Sequence, residues 1–155
     1  MPRDLRDEIG QARPFASLQQ EAELGIIRTA AVLSDSLERV FGPFGVSATQ
    51  YNALRILRGA GPAGLCRNEL RDRMLTRMPD VTRLLDRMEE AGWVTRDRIP
   101  ADRRRVSARI TEKGRRLLDE LDEPLRREHQ RRLGHLSDEQ LRMLSGLLTL
   151  VRNPG

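Results

Sequence analysis

Five arginines lie within one segment of ten residues, Arg96 to Arg105, where only Asp97 and Asp102 oppose them. Guanidinium groups donate paired hydrogen bonds to phosphates and to guanine edges, and they repel one another unless anions are close. This clustering therefore indicates a surface that binds a polyanion. A hairpin whose charges only protect the edge of a sheet would show the same residues, so that alternative stays open.

The basic residues of the whole chain are concentrated in the same region. The 155 residues include 28 Lys or Arg against 23 Asp or Glu, and Lys113 is the only lysine. Between Gly64 and Arg116 there are 15 basic and 9 acidic residues, a net charge of +6, whereas the remainder has 13 and 14, a net charge of −1. This arginine-rich middle third favours a nucleic-acid surface over a solvated basic face without a partner.

Composition excludes several classes of protein. Charged residues make up 33% of the chain and hydrophobic residues 38%, and no segment approaches the run of about 18 apolar residues that spans a membrane. The first residues lack the apolar core of a signal peptide, and Cys66 is the only cysteine, so we expect a cytoplasmic protein. His129 and His135 lack paired carboxylates at ligand spacing, and no catalytic or nucleotide-binding motif occurs. We therefore expect no metal, no cofactor and no enzymatic activity.

Periodic apolar residues and helix caps predict six helices and one hairpin. The helices cover about residues 15–41, 47–58, 67–75, 79–91, 111–125 and 137–151, and the strands cover 93–99 and 105–110. Ser47 with Gln50, and Ser137 with Gln140, form capping boxes at two of the helix starts. The predicted fold is mainly α with a small β-wing. Two helices joined by a short turn and followed by a hairpin make a winged helix-turn-helix.

The helix at 79–91 is the candidate recognition helix, because the second helix of such a pair normally enters the major groove by its N-terminal residues. A helical wheel gathers four apolar side chains on the inner face, Val81, Leu84, Leu85 and Met88. The outer face of the first turn carries Pro79, Asp80, Thr82 and Arg83. Arg83 can donate to guanine, and the Thr82 methyl can contact thymine. Any amphipathic helix has a solvated outer face, so this feature alone favours DNA binding only weakly.

The acidic residues of these elements have predicted roles of their own. Asp86 and Glu90 lie further along the recognition helix, where we expect them to pair with Arg83 and Arg87. Asp102, at the tip of the hairpin, cannot attract phosphate. We expect it to accept hydrogen bonds from turn amides or to hold Arg104 in position.

Several motifs in this chain resemble those of the MarR family of bacterial transcription regulators. Asp80–Arg96, Asp102–Arg104 and Ile110–Arg115 occur in the order and spacing of that family, and Ser47–Leu57 resembles its second helix. The likeness extends over roughly 18–151. It implies an intertwined homodimer with two winged-helix lobes that binds a pseudo-palindromic promoter site on double-stranded DNA, usually as a repressor. In many members a small organic ligand, or oxidation of a cysteine, releases the DNA.

The resemblance also implies roles for single residues. Thr82 and Arg83 take the recognition-helix places, and Asp102 with Arg104 takes those of the wing-tip pair. Many members have a serine-rich turn before the recognition helix, and here its phosphate contact passes to Thr76 or Arg77. Arginines near the helix ends and on the wing complete the prediction. The candidate DNA-binding residues are Arg73, Thr76, Arg77, Pro79, Asp80, Thr82, Arg83, Arg87, Arg98, Asp102, Arg103, Arg104 and Arg105.

The C-terminal part of the chain holds more leucine than one small core absorbs. These leucines lie at positions 117, 118, 121, 125, 133, 136, 141, 144, 147, 148 and 150. They predict a second copy of the chain as partner, although an intrachain helical pair would also use them. The predicted organisation is a flexible arm at 1–14 and one domain at 15–153, with dimerisation helices at 15–42 and 111–152 and a DNA-binding lobe at 47–110.

An effector pocket and two other functions are weaker predictions. Phe41, Phe44, Tyr51 and Arg55 could line a site for a small organic ligand, but core packing explains the aromatic residues as well. Cys66 lies beside Arg67, yet a single cysteine is usually a packed residue. A DNA-coating protein without sequence preference, and a winged helix that binds only protein, are the alternative functions.

Overall fold

The computed structural model describes residues 3–155, apart from the side chain of Arg103. The predicted DNA contact of Arg103 and the first two residues of the arm therefore lie outside the described residues. Over this range the chain forms seven α-helices and three strands. They are α1 Leu5–Ile9, α2 Leu18–Phe41, α3 Ala48–Ala60, β1 Leu65–Cys66, α4 Arg67–Arg73, α5 Val81–Glu90, β2 Val94–Ile99, β3 Asp102–Ile110, α6 Glu112–Leu133 and α7 Asp138–Arg152. None of these helices combines the length and the apolar character needed to cross a membrane.

The predicted starts of the helices at Ser47 and Ser137 are confirmed by their caps. Ser47 and Ser137 each accept a hydrogen bond from the backbone three residues on, and the glutamines at 50 and 140 complete both capping boxes. A side-chain oxygen at this position satisfies an N–H that the first helical turn leaves without a partner. The polar residues that precede the apolar runs therefore determine where α3 and α7 begin.

The N-terminal arm contains a short helix that the sequence analysis did not predict. The Asp4 side chain accepts from the Asp7 backbone at 2.9 Å and so starts α1, which ends at Gly10 with φ of 64°. Glu8 of this helix lies 3.8 Å from Arg28 of α2. A helix of five residues is too short to show an apolar period, which is why sequence patterning missed it.

The three strands form an antiparallel sheet in the order β1-β3-β2. β2 and β3 pair from Val94 opposite Ile110 to Arg98 opposite Val106, and we call residues 94–110 the wing. The hairpin was predicted, but β1 was not, since two residues cannot show alternation. Gly64 leads into β1 with φ of 66°, and a Cβ there would clash with the Ala108 carbonyl oxygen.

The core lies between α3, α4, α5, the sheet and the first half of α6. Its fully buried side chains include Leu54, Leu57, Leu70, Met88, Val94, Leu118 and Leu121. Four of the leucines predicted to meet a partner, at 117, 118, 121 and 125, belong to this core, which corrects that prediction. In contrast, α7 has no buried residue, and Leu144, Leu147 and Leu150 are 41%, 55% and 69% exposed.

The start of α6 is bound tightly to the end of α5. The Thr111 N–H donates to the Trp93 carbonyl at 2.9 Å, and Lys113 Nζ donates to the Ala91 carbonyl at 2.8 Å. A Cβ on Gly114 would lie 2.5 Å from the Trp93 carbonyl oxygen, so only glycine permits this approach. The wing therefore begins and ends at one compact junction between two helices.

Candidate nucleic-acid interface

The N-terminal turn of α5 presents an outer face as the helical wheel predicts. Val81, Leu84, Leu85 and Met88 are buried, whereas Thr82, Arg83 and Arg87 are exposed. Asp80 caps the helix, because its carboxylate accepts from the Arg83 N–H at 2.9 Å. Pro79 therefore precedes the cap and does not lie in the first turn, which corrects the predicted helix start. The Asp80 carboxylate is engaged with this backbone and has a structural role at the helix start.

Thr82 is held from the neighbouring helix. Arg67 Nη1, at the start of α4, donates to Thr82 Oγ1 at 3.2 Å. This contact orients the hydroxyl of a candidate base-reading residue. Sequence reasoning missed Arg67, since the two residues are 15 positions apart in the sequence and their proximity is not visible there.

The turn between α4 and α5 is fixed by a buried amide. Asn52 of α3 is 8% exposed, and its Oδ1 accepts from the Leu75 N–H at 2.9 Å. The turn carries Thr76 and Arg77 on the surface, and Arg73 is exposed at the end of α4. Sequence reasoning missed Asn52 as well, although an amide beside Ala53 and Leu54 on a buried helix face was a usable signal.

The tip of the wing is built around Asp102. Its Oδ1 accepts from the Arg104 backbone N–H at 3.1 Å, which confirms the predicted bond to a turn amide. Arg98 and Arg104 are exposed, and no described carboxylate lies within ion-pair distance of either guanidinium. These two cations are therefore available to an external anion.

Arg105 lies against α4. Its Nη2 is 3.6 Å from Cys66 Sγ and 3.8 Å from Glu69 Oε1. The Cys66 backbone N–H donates to Glu69 Oε2 at 2.8 Å and holds the pKa of Glu69 below its ordinary value. The side chain of Arg105 remains half exposed, so it can bind an anion and also contact α4.

The base of the wing differs from its tip. Arg96 Nη2 lies 2.6 Å from Asp86 Oδ1 and 2.6 Å from Glu89 Oε2, and its Nε donates to Glu89 at 3.1 Å. The side chain is 24% exposed, and its hydrogen bonds to Glu89 and then Asp86 raise the pKa of the guanidinium. The prediction that Asp86 pairs with the arginines of its own helix was wrong, and Arg96 is not one of the free cations of the cluster.

A cavity of about 540 Å³ opens between the start of α4, the outer side of α5 and the wing. Its cationic lining consists of Arg67, Arg96, Arg104 and Arg105, and its apolar lining of Leu85, Val106 and Ala108. Thr82 and Cys66 also line it. The cavity therefore combines positive charge with apolar surface within the predicted DNA-binding face.

The predicted effector residues lie elsewhere, at the junction of α2 and α3. Phe41 is 2% exposed and packs against Tyr51 with ring centroids 4.9 Å apart, and the Arg55 guanidinium carbon lies 6.0 Å from the Tyr51 centroid. Burial raises the pKa of Tyr51. Phe44 is half-buried. The Phe41 ring belongs to the core, whereas Tyr51 and Arg55 remain partly accessible.

Comparison with known proteins shows one family of similar chains. The MarR family model matches residues 46–106, which span α3 to the middle of β3. A solved MarR transcription factor from Planctomyces limnophilus is 42% identical, with 88% of this chain and 99% of that chain covered and a TM-score of 0.68. PecS, an HTH-type transcriptional regulator of Dickeya dadantii, is 27% identical over 96% of this chain and 90% of its own length.

A further solved structure agrees in fold. Bordetella bronchiseptica BpsR, whose DNA binding is regulated by 6-hydroxynicotinic acid, is 20% identical. It covers 92% of this chain and 100% of its own, with a TM-score of 0.79. At this identity the match shows agreement in fold alone.

Proposed function

Because this chain belongs to the MarR family of transcriptional regulators, we propose that it is a cytoplasmic repressor that binds a pseudo-palindromic promoter site as a homodimer. A small organic ligand releases the DNA. Thr82 and Arg83 read base edges in the major groove, and the wing arginines at 98 and 103–105 enter the minor groove. Arg73, Arg77 and Arg87 contact phosphates, with Thr76 beside them in the turn.

The observation that carries this proposal is the pairing of two exposed cationic elements on one side of the lobe at 47–110. α5 exposes Arg83 at its N-terminal turn, and the wing exposes Arg98 and Arg104 without a described carboxylate partner. A helix for the major groove and a ribbon for the minor groove are the two parts that a winged helix needs.

The homodimer is supported by α7. Its apolar side chains at 143, 144, 147, 150 and 151 are between 41% and 69% exposed. Such a stripe on a helix of 15 residues needs a protein surface to cover it. A two-fold axis would place the two α5 helices about 34 Å apart, one turn of DNA, and so accounts for a palindromic site.

The direct test is to select DNA from random-sequence duplexes with the full-length purified protein and sequence what is retained. Recovery of an inverted repeat with half-sites one helical turn apart supports the proposal. Retention of all sequences equally at matched salt would instead identify a DNA-coating protein. If no duplex associates at any salt concentration, the winged helix binds a protein partner.

The ligand part of the proposal concerns a small organic acid. The cavity of about 540 Å³ falls within the range of about 300–1,000 Å³ that is usual for small-molecule sites. Its arginines suit a carboxylate and its apolar lining suits a ring. Thr82, Arg104 and Arg105 belong both to this cavity and to the proposed DNA contacts, so occupation by a ligand competes directly with DNA.

Two substitutions distinguish this cavity from the pocket predicted at Phe41, Phe44, Tyr51 and Arg55. Small aromatic carboxylic acids are screened for a rise in the thermal unfolding midpoint of the protein without DNA. We expect Arg105→Ala to abolish the rise and Arg55→Ala to preserve it. The opposite result assigns the ligand to the predicted pocket, and the absence of any rise overturns the ligand proposal.

A further inference from the structure

We propose that Arg96 is a positioning residue for DNA recognition, which fixes the wing at a set angle to α5 and does not contact DNA. The inference goes beyond the proposed contacts because it assigns the geometry between two DNA-binding elements to one side chain. It rests on the contacts that Arg96 makes across the gap between β2 and α5.

The direction of Arg96 follows from strand alternation. Side chains two residues apart point to the same face of a sheet, so Arg96 shares its face with Val94, which is 1% exposed in the core. That face is covered by α5. Asp86 and Glu89 lie three residues apart on this helix, and positions with that spacing are neighbours on a helix surface. One guanidinium therefore reaches both carboxylates at 2.6 Å.

The contact of Arg96 can fix the angle of the wing because it lies beyond the point where β2 joins α5. β2 is joined to α5 by only a few residues, and the Trp93 N–H donates to the Met88 carbonyl at 2.9 Å where the two elements meet. Arg96 lies about 10 Å further along the strand, at about 3.3 Å per residue. Among the described side chains it makes the outermost polar link between α5 and the wing.

The charge of the group excludes a role as a phosphate contact. One guanidinium with two carboxylates has a net charge of −1, so the group does not attract a phosphate. Arg98, two residues further along β2, has no described carboxylate within ion-pair distance and is exposed. Neighbouring arginines on one strand thus have different functions, one internal and one directed at DNA.

The decisive experiment removes the two acids and keeps the arginine. Asp86→Ala/Glu89→Ala makes the DNA-binding face less negative by two charges, and alanine preserves the helix. If Arg96 positions the wing, this variant binds a selected operator about tenfold more weakly, since the wing must then be ordered upon binding. Tighter binding than the wild-type protein would overturn the proposal, because it would show Arg96 acting as a freed phosphate contact.

The salt dependence of binding provides a second readout. Arg96→Ala is expected to weaken operator binding by a similar factor while the slope of log K against log salt stays at the wild-type value. Arg104→Ala is the matched control from the same wing, and loss of a phosphate contact there lowers the slope by about 0.9. A comparable fall in slope for Arg96→Ala contradicts the positioning role. Arg96→Lys, which keeps the charge and one contact, is expected to recover part of the affinity.

Hydrogen exchange separates positioning from a general loss of stability. In the Asp86→Ala/Glu89→Ala protein we expect faster exchange of amides in β2 and β3, with unchanged protection in α3 and α6. Unchanged exchange in the wing would overturn the proposal. Should Arg96→Ala fail to fold, the double variant still decides the question, because Asp86 and Glu89 have side chains that are 55% and 41% exposed.

Discussion

The lobe at 47–110 and the helix α7 differ in how far their apolar side chains are buried. The lobe encloses Leu54, Leu57, Leu70 and Met88 in its own core and exposes arginine. α7 buries none of its residues and exposes leucine. A surface that is complete and charged is suited to DNA, whereas a surface that is apolar and uncovered needs protein. The comparison therefore supports the proposal that the lobe binds DNA and that α7 forms the dimer.

The largest expected effect comes from breaking the apolar surface of α7. Leu147→Glu places a charge in the middle of the stripe, where Leu147 is 55% exposed in the single chain. We expect the dimer to dissociate and operator affinity to fall about 100-fold or more, since two linked lobes bind far more tightly than one. Analytical ultracentrifugation and a DNA titration measure the two effects.

Arg142→Glu is the matched control for this experiment. Arg142 is on the polar side of the same helix and pairs only with Asp138, at 3.6 Å, among the described residues. Its variant is expected to remain dimeric. A dimer that persists in Leu147→Glu would show that α7 is not the assembly surface.

A smaller effect is expected when the lobe loses one base contact and assembly is unchanged. Arg83→Ala should weaken operator binding by about 1–3 kcal/mol and reduce the ratio of operator to random-duplex affinity. Arg116→Ala serves as control, because Arg116 is exposed on α6 and, among the described residues, pairs only with Glu112, at 3.8 Å. An unchanged ratio in competition assays at fixed salt would remove Arg83 from the base-reading set.

The smallest expected effect is on the stability of the fold. It comes from contacts between α6 and α2 that lie outside both surfaces. Arg131, the Ser36 hydroxyl and Arg132 lower the pKa of Glu128 from 4.5 to about 2, and Arg131 links Glu128 on α6 to Ser36 on α2. A carboxyl group whose pKa is depressed in the folded state stabilises that state above its unfolded pKa. This stability is lost as the pH falls from about 4.5 towards 2.

Glu128→Gln is therefore expected to lower the thermal midpoint by roughly 2 °C at pH 7. The difference from the wild-type protein should shrink below pH 4.5 and vanish near pH 2, with the operator ratio unchanged throughout. Glu120→Gln, an exposed position on the same helix, is the control. A midpoint difference that persists at the acid limit would show that Glu128 acts through packing and not through its charge.

Local signals in the sequence predicted most of the helices and the outer face of α5. Capping residues such as Ser47, Thr111 and Ser137 act within three or four residues, so their effect is visible in the chain itself. The buried residues of α5 likewise recur at the spacing of successive helical turns. These features need no knowledge of the tertiary fold.

The pairings across the fold could not be predicted in this way. Arg96 looked like the other cations of its cluster, and only the approach of α5 directs it to Asp86 and Glu89. Asn52 holds a turn 23 residues away, and Arg67 contacts a side chain 15 residues away. Such contacts depend on how elements pack, and residue type gives no indication of the partner.

The compact junction at Thr111, Lys113 and Gly114 has a mechanical consequence for the proposed dimer. α6 has 22 residues, a length of about 33 Å at 1.5 Å per residue. Its first turn is bound to the residues that directly follow α5, so a movement of α6 is transmitted to α5. In the proposed dimer, a tilt of α6 by a few degrees would change the distance between the two α5 helices by ångströms.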